Sequence, residues 1–261
     1  AQRYDDTRNR PDITGTSRLS PHSAFGEISP REIWHISLDR IRTENGAVLD
    51  KGIWSFLREL GWRDFNHNLL FHNPTLPKEN YNSRFDAFPW QEDPTALNAW
   101  KSGQTGYPLV DAGMRELWQT GFMHNRVRMV VASFLIKHLM IDWRVGEAWF
   151  RDTLVDADLA NNVANWQWTA GCGADAAPYF RIFNPIGQGE KFDPDGVYIR
   201  QWVPELKGMP TNYLNKPWEA PPEVLREAGV ELGKNYPKPV VRHIDARNRA
   251  LEAYNDIKGA A

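Results

Sequence analysis

A chain of 261 residues, 41% of them hydrophobic, is long enough to bury a sizeable core as one large domain or two moderate ones. A mean hydropathy of −0.58 argues against a membrane protein, and a net charge of −2 means that any nucleic-acid partner must bind a local basic face. The single cysteine, Cys172, excludes an internal disulfide and a zinc cluster of cysteines, which fits a cytoplasmic protein in a reducing compartment.

The first 50 residues predict a polar arm followed by two helix starts. Residues 1–14 predict an arm that leads into the fold of a longer protein. In residues 15–21, hydroxyl side chains precede a helix start with Ser20 as the cap. They could bind a phosphate or form an ordinary cap without a ligand. Ser29, Pro30 and Glu32 predict a second start with Ser29 as N-cap. The apolar face of that helix would be formed by Ile33, Trp34, Ile36, Leu38 and Ile41.

The rest of the chain is predicted to be mainly helical. Apolar spacings of three and four predict helices over residues 52–70, 111–119, 123–141 and 147–159, and shorter ones over 221–229 and 244–258. Prolines and glycines predict loops and turns from Pro178 to Pro210. We find no alternation of period two, no internal repeat and no apolar run long enough to span a membrane. The sequence therefore predicts one helical unit with long functional loops.

Two groups of polar residues on the predicted helices suggest ligand contacts. Arg126 and Arg128 on an otherwise apolar helix need partners, and Asp156 and Asp158 are plausible ones. A structural ion pair and a ligand site fit this spacing equally well. The second group places an acid, an indole and a base on consecutive turns, which could contact a nucleic acid or simply pair at the surface; its members are Glu59, Trp62 and Arg63.

Residues 155–185 combine acids, amides and indoles in a mostly apolar setting, which suits a large, flat, redox-active ligand. The spacing of Asp156 and Asp158 does not indicate a metal site, because hard cations need more oxygen ligands than this segment supplies. Cys172 has no nearby histidine in the sequence and is expected to be a small buried side chain.

Taken together, these segments resemble the flavin-binding half of the cryptochrome/photolyase family. The resemblance covers nearly the whole chain and rests on motifs in the family's order: Tyr4, residues 15–20, 106–112 (GYPLVDA), 123–129 (MHNRVRM), 181–185 (RIFNP) and 188–193. It implies an all-α fold, with residues 1–261 forming one large helical domain that binds FAD and a DNA lesion. The family's N-terminal α/β antenna domain is absent from this sequence, and the chain is expected to be continuous or associated with one.

The resemblance also implies positions for the cofactor contacts. It implies that five residues lie along the FAD phosphates: Tyr4, Thr16, Ser17, Leu19 and Ser20. Arg128 and Asp156 would form a salt bridge against the isoalloxazine, with Asp158 and Asn125 as further polar contacts. Asn162 would face flavin N5, where asparagine is typical of photolyases and aspartate of plant cryptochromes.

The implied activity is light-driven splitting of cyclobutane pyrimidine dimers in UV-damaged DNA. Trp166, Trp143 and Trp90 would relay electrons between flavin and surface. The residues implied to line the lesion pocket are Glu59, Trp62, Arg63, Asn125, Arg126, Met129, Trp168 and Gln188. Alternatives are a cryptochrome-like photoreceptor with the same flavin and tryptophans, and a nucleic-acid-binding module without light chemistry.

Overall fold

The computed structural model describes residues 3–43, 51–176 and 180–259, without the side chains of residues 41–43 and 259. Pro178 and the side chain of Ile41 therefore lie outside the described residues. The described α-helices, in chain order, are α1 (Tyr4–Thr7), α2 (Ser20–Ala24), α3 (Pro30–Thr43), α4 (Lys51–His72), α5 (Pro94–Lys101), α6 (Pro108–Thr120), α7 (Asn125–Ser133), α8 (Trp143–Thr153), α9 (Leu159–Ala170), α10 (Pro185–Phe192), α11 (Val197–Trp202), α12 (Thr211–Leu214), α13 (Pro222–Glu227) and α14 (His243–Gly259).

Short irregular helices complete the described part of the fold. A π-helix, Phe134–His138, extends α7, and 3₁₀ turns occur at Ser83–Ala87, Pro204–Leu206 and Pro217–Glu219. Among the described residues the only β-type pairing is an isolated bridge between Leu232 and Tyr236. The predicted all-α class is confirmed. None of the described helices is both long and apolar enough to cross a membrane.

Several helix predictions are confirmed, with boundaries that differ by a few residues. The segments predicted at 52–70, 111–119 and 244–258 correspond to α4, α6 and α14. At the start of α3, the Glu32 carboxylate accepts the backbone N–H of Ser29, and the Ser29 hydroxyl accepts the N–H of Glu32, which is the predicted reciprocal cap. On the same helix Ile33 is buried, but Ile36 is 63% exposed and does not belong to an apolar core face.

Other helix predictions are wrong. The helix predicted over 147–159 is interrupted: α8 ends at Thr153, and α9 begins at Leu159 after Asp158 accepts the N–H of Asn161 as its N-cap. The segment 178–210, predicted as loops, contains α10 and α11. Ser20 is the first residue of α2 and not its cap, because Leu19 occupies the cap position without a side-chain bond.

The helix predicted over 123–141 begins two residues later and changes type. His124 caps α7 by accepting the N–H of Arg126, and the chain becomes a π-helix at Phe134. Met140, with φ of +55°, ends the segment.

The buried core is drawn largely from α6, α7 and the π-helix, and α9 packs against both α4 and α8. Trp143 of α8 is fully buried. One turn later, Gly146 lies so close to the Trp166 ring that a Cβ there would fall 2.2 Å from it. Glycine at this position is therefore what allows α8 and α9 to approach each other.

Candidate functional site

A cavity of about 530 Å³ opens between α4, α7, α9 and the segment around α2. Its volume is in the range of small-molecule and cofactor sites. Most of the residues predicted from the sequence to bind cofactor or lesion line it: Tyr4, Ser17, Leu19, Ser20, Glu59, Trp62, Arg63, Asn125, Arg128, Met129, Asp156, Asp158, Asn162, Trp166 and Trp168. Segments that are far apart in the sequence thus form one site.

Three of the residues predicted to bind cofactor or lesion do not line this cavity, namely Thr16, Arg126 and Gln188, and neither do Trp90 and Trp143 of the predicted relay. Arg126 donates to the Asn9 side chain at 2.6 Å, and its guanidinium lies 4.4 Å from the Phe192 ring centre of α10. Gln188 belongs to the same helix α10. Arg126 therefore contacts the N-terminal arm and α10 and not the cavity.

Arg128 and Asp156 form the predicted ion pair across the cavity wall. The Arg128 Nη2 lies 2.8 and 3.0 Å from the two carboxylate oxygens, and Nε donates to the backbone carbonyl of Met123. The Asp156 side chain is only 3% exposed, and Arg128 is the cation that compensates for its burial. The pair fixes a guanidinium at the surface of the cavity.

Asp158, the N-cap of α9, also contacts two residues of α4 and so connects the two helices. Besides capping α9, its carboxylate lies 3.1 Å from Arg63 and 3.3 Å from His67. Burial alone would raise the pKa of Asp158, but the Asn161 N–H bond and the charge of Arg63 outweigh it, so this pKa is lowered. Arg63 is therefore held inside the protein by a carboxylate.

The side-chain amide of Asn162 has a defined orientation. Its Nδ2 donates to the backbone carbonyl of Glu147 at 3.0 Å and to the Glu147 carboxylate at 2.9 Å. Because both partners are acceptors, the amide nitrogen must point at Glu147, and the carbonyl oxygen is the atom left for a ligand in the cavity. Burial raises the pKa of Glu147, although Arg151 and Asn162 oppose this. Sequence reasoning missed Glu147, which carries no local motif.

Two further contacts shape the mouth of the cavity. Glu59 forms an ion pair with Arg8 at 2.6 Å, and Arg8 also lies over the Tyr4 ring. Trp62 is 48% exposed and meets Phe65 edge to face, with 5.7 Å between the ring centres. Arg8 and Phe65 line the cavity but carry no sequence signal of their own.

The three tryptophans of the predicted relay lie on α9, on α8 and in the loop before α5. Trp166 lines the cavity and touches Gly146, one turn after Trp143 on α8. The backbone N–H of Gln91, next to Trp90, donates to the carbonyl of Met140, three residues before Trp143. Trp166 and Trp143 are buried, whereas Trp90 is partly exposed. Of the three, Trp166 lines the cavity and Trp90 is the one that is partly exposed, and the relay itself stays a prediction.

Gln167, between Trp166 and Trp168, ties the loop that carries Trp90 to α9. Its side-chain nitrogen donates to the backbone carbonyls of Leu76 and Glu79, and its oxygen accepts the N–H of Tyr81. Gln167 is fully buried and every polar atom of its amide is used. One side chain thus positions an otherwise irregular loop.

The described residues contain no group of three or more histidine, cysteine, aspartate or glutamate side chains able to hold a metal ion. Cys172 is a buried free thiol, as expected, and burial raises its pKa to about 12.

Comparison with known proteins gives consistent matches. A family model described as the FAD binding domain of DNA photolyase matches residues 56–256. The chain is 58% identical to the deoxyribodipyrimidine photo-lyase of Agrobacterium fabrum, covering 98% of this chain and 52% of the relative. It is 42% identical to cryptochrome-1 of Arabidopsis thaliana, covering 97% of this chain and 38% of that protein.

A solved structure matches equally well. The crystal structure of a bacterial class III photolyase from Agrobacterium tumefaciens superposes with a TM-score of 0.94 at 57% identity, covering 99% of this chain and 53% of that one. The chain spans about half the length of the curated photo-lyases it matches.

Proposed function

The chain belongs to the cryptochrome/photolyase family through its FAD-binding domain, and from this premise we propose that the protein repairs UV-damaged DNA as a deoxyribodipyrimidine photo-lyase that splits cyclobutane pyrimidine dimers. We take residues 1–261 as one unit that binds FAD and lesion. The observation that carries the proposal is the fixed amide of Asn162 beside the Arg128–Asp156 pair in one cavity.

The cavity residues fit FAD chemically. Hydroxyl groups of Ser17, Ser20 and Tyr4 line one part and can donate to phosphate oxygens, while the Arg128 guanidinium and the Asn162 amide provide polar contacts in another part. A volume of about 530 Å³ leaves room for a large part of such a cofactor. In this assignment, the Asn162 carbonyl oxygen, which the hydrogen bonds from Nδ2 to Glu147 leave free, would be the atom that accepts the N–H of reduced flavin.

The mouth of the cavity suits a flipped pyrimidine dimer. Photolyases are standard examples of enzymes that extrude their target nucleotides, so this binding mode comes from the class and not from the present geometry. Trp62 and Trp168 offer apolar faces for stacking, Met129 adds a polarisable contact, and the Glu59 carboxylate, oriented by Arg8, can accept from the N–H groups of the bases.

When bound and reduced, FAD would supply, on excitation by near-ultraviolet or blue light, the electron that splits the cyclobutane ring, and the electron would return to it with no net redox change. The residues around it bind, orient and exclude water. We assign Trp166, Trp143 and Trp90 to a separate task, the transfer of electrons from the surface that brings the flavin to its reduced state.

The proposal also covers the location of the protein in the cell and its partner domain. We propose a cytoplasmic location, because a single buried cysteine suits a reducing compartment. An N-terminal α/β antenna domain is proposed as the covalent or associated partner of this domain. The cryptochrome-like alternative is not favoured, because identity to cryptochrome-1 is 42% against 58% for the photo-lyase.

One assay tests the proposal. The purified protein, with its flavin reduced, is incubated with DNA carrying a defined thymine dimer, either in the dark or under blue light. Loss of the dimer only in the light is the expected result. Equal persistence of the dimer in both arms would overturn the assignment as a lyase, and a protein purified without flavin would favour a binding module.

A further inference from the structure

Trp143, the middle indole of the proposed relay, lies in an unusually polar setting for a fully buried ring. Its indole N–H donates to the side-chain oxygen of Asn80 at 2.9 Å. The guanidinium carbon of Arg144 lies 4.7 Å from the ring centre. Asp142 in turn binds that guanidinium through both carboxylate oxygens, at 2.9 and 3.2 Å. A cation, an anion and an oriented amide thus surround one ring.

The Arg144 side chain is fixed in place over the ring. Its Nε donates to the backbone carbonyl of Lys78 at 2.8 Å, in addition to the two bonds to Asp142. Arg144 and Asp142 are 32% and 26% exposed, so solvent screens their charges only partly. Three directional bonds on one guanidinium exceed what an unconstrained surface arginine would keep.

These charges act on an indole that loses an electron. The neutral ring attracts the guanidinium through its quadrupole, but a ring carrying a positive charge is repelled by it. Arg144 therefore makes oxidation of Trp143 harder, whereas the carboxylate of Asp142 makes it easier. The carbonyl of Asn80, facing the indole N–H, also stabilises the oxidised ring.

We propose that Arg144 and Asp142 are positioning residues that set, through Trp143, how readily an electron passes from Trp143 to Trp166. The proposal rests on the relay assigned under Proposed function. A photoexcited oxidised flavin is the oxidant that first takes one electron from Trp166. In the next step one electron moves from neutral Trp143 to oxidised Trp166, so Trp166 becomes neutral and Trp143 carries the positive charge. The N–H proton of Trp143 stays on the ring, because Asn80 offers an amide carbonyl and not a base.

Two single variants test the opposing signs. Arg144→Gln removes the cation, and Asp142→Asn removes the anion while keeping an acceptor for the Arg144 N–H that caps α8. After a light flash on protein with oxidised flavin, transient absorption separates two tryptophan radical populations. The short-lived one is confined to Trp166, and the long-lived one has passed its positive charge on to Trp143, so their ratio reports this transfer. We expect Arg144→Gln to raise this ratio and Asp142→Asn to lower it, each by roughly twofold to fivefold, the range of partly screened charge interactions.

The double variant and a conservative variant complete the test. Combining both changes should bring the ratio back towards that of the parent, and Arg144→Lys, which keeps the charge, should stay near the parent. Urea unfolding of each variant shows whether the substitution has merely loosened α8. A purely structural role would change the radical ratio in the same direction in both single variants.

A third variant separates this inference from the relay itself. Trp143→Phe should abolish the long-lived radical. If it does not, the relay is wrong and the inference falls with it. If it does, but the two charge variants shift the ratio in the same direction or not at all, the relay stands and the inference about Arg144 and Asp142 is overturned.

Discussion

Replacing Glu147 by alanine should loosen the orientation of the Asn162 amide and make the flavin harder to reduce. The Asn162 Nδ2 donates to the Glu147 carboxylate at 2.9 Å and to its backbone carbonyl at 3.0 Å. A hydrogen bond to a charged group contributes about 1.5–3 kcal/mol and a neutral one about 1 kcal/mol. The observed orientation is therefore favoured by roughly 2.5–4 kcal/mol in the parent and by only about 1 kcal/mol in the variant, where the backbone bond remains.

The difference has a direct electrochemical consequence in the proposed flavin site. Oxidised flavin presents N5 as an acceptor, so it gains a hydrogen bond only if the Asn162 amide turns over, whereas reduced flavin presents an N–H that suits the observed orientation. The lost carboxylate bond sets the upper limit of the effect, about 1.5–3 kcal/mol or roughly 30–65 mV for a two-electron couple. We expect Glu147→Ala to shift the midpoint potential to more negative values by tens of millivolts within this limit.

Spectroelectrochemical titration of the flavin-loaded protein measures this shift. Glu147→Gln, which keeps a side-chain acceptor, should give a smaller shift, and Asp152→Asn, which removes an exposed carboxylate from the same helix, should give none. A potential that is unchanged or more positive in Glu147→Ala, in protein that still retains flavin, would refute the assigned role of the Asn162 amide.

Four further changes test other parts of the structure. Trp166→Phe should slow photoreduction of oxidised flavin while repair by already reduced protein continues, and equal photoreduction rates would exclude the relay. Gly146→Ala would place a Cβ 2.2 Å from the Trp166 ring and should lower the free energy of unfolding in urea by about 1–3 kcal/mol; parent-like stability would contradict this packing. Arg128→Met leaves the buried Asp156 carboxylate unpaired, so stability should fall by up to about 3 kcal/mol with lower flavin retention by absorbance, and unchanged values would speak against the pair. Because the pKa of Glu147 is raised by burial, its stabilising contribution is present at acid pH and is lost as pH rises through the folded-state pKa. Glu147→Gln should therefore flatten the fall in unfolding free energy that accompanies the deprotonation of Glu147 as pH rises, and an identical pH profile would show that Glu147 does not titrate as inferred.

Features that depend on neighbouring residues were predictable from the sequence. Ser29 and Glu32 predict the start of α3 because each side chain accepts the backbone N–H of the other residue within one turn. Physical reasoning showed only that the arginines of an apolar helix need acidic partners and offered Asp156 and Asp158 as candidates, whereas the specific pairing of Arg128 with Asp156 came from the family resemblance.

Features that depend on tertiary packing were not predictable in this way. Glu147 and Asn162 lie on different helices, and the sequence shows neither that α8 ends at Thr153 nor that Gly146 lets α9 approach. The cap at Asp158 was a usable signal for the start of α9, but the apolar periodicity continuing through the loop concealed it. Arg8 is polar like the rest of its arm, and only the fold brings it to Glu59.

The walls of the cavity are joined by bonds between distant parts of the chain. Arg63 meets Asp158, Asn66 meets Asn161, and Gln167 holds Leu76 and Glu79, so that partners stand about ninety residues apart. Closing loops of this length is slow and is rewarded only when both ends are in place. A chain emerging from the ribosome has no cofactor pocket until α9 has been made and docked on α4. The cofactor can therefore bind only late in biosynthesis, and a protein that has bound its cofactor has also formed these long-range contacts.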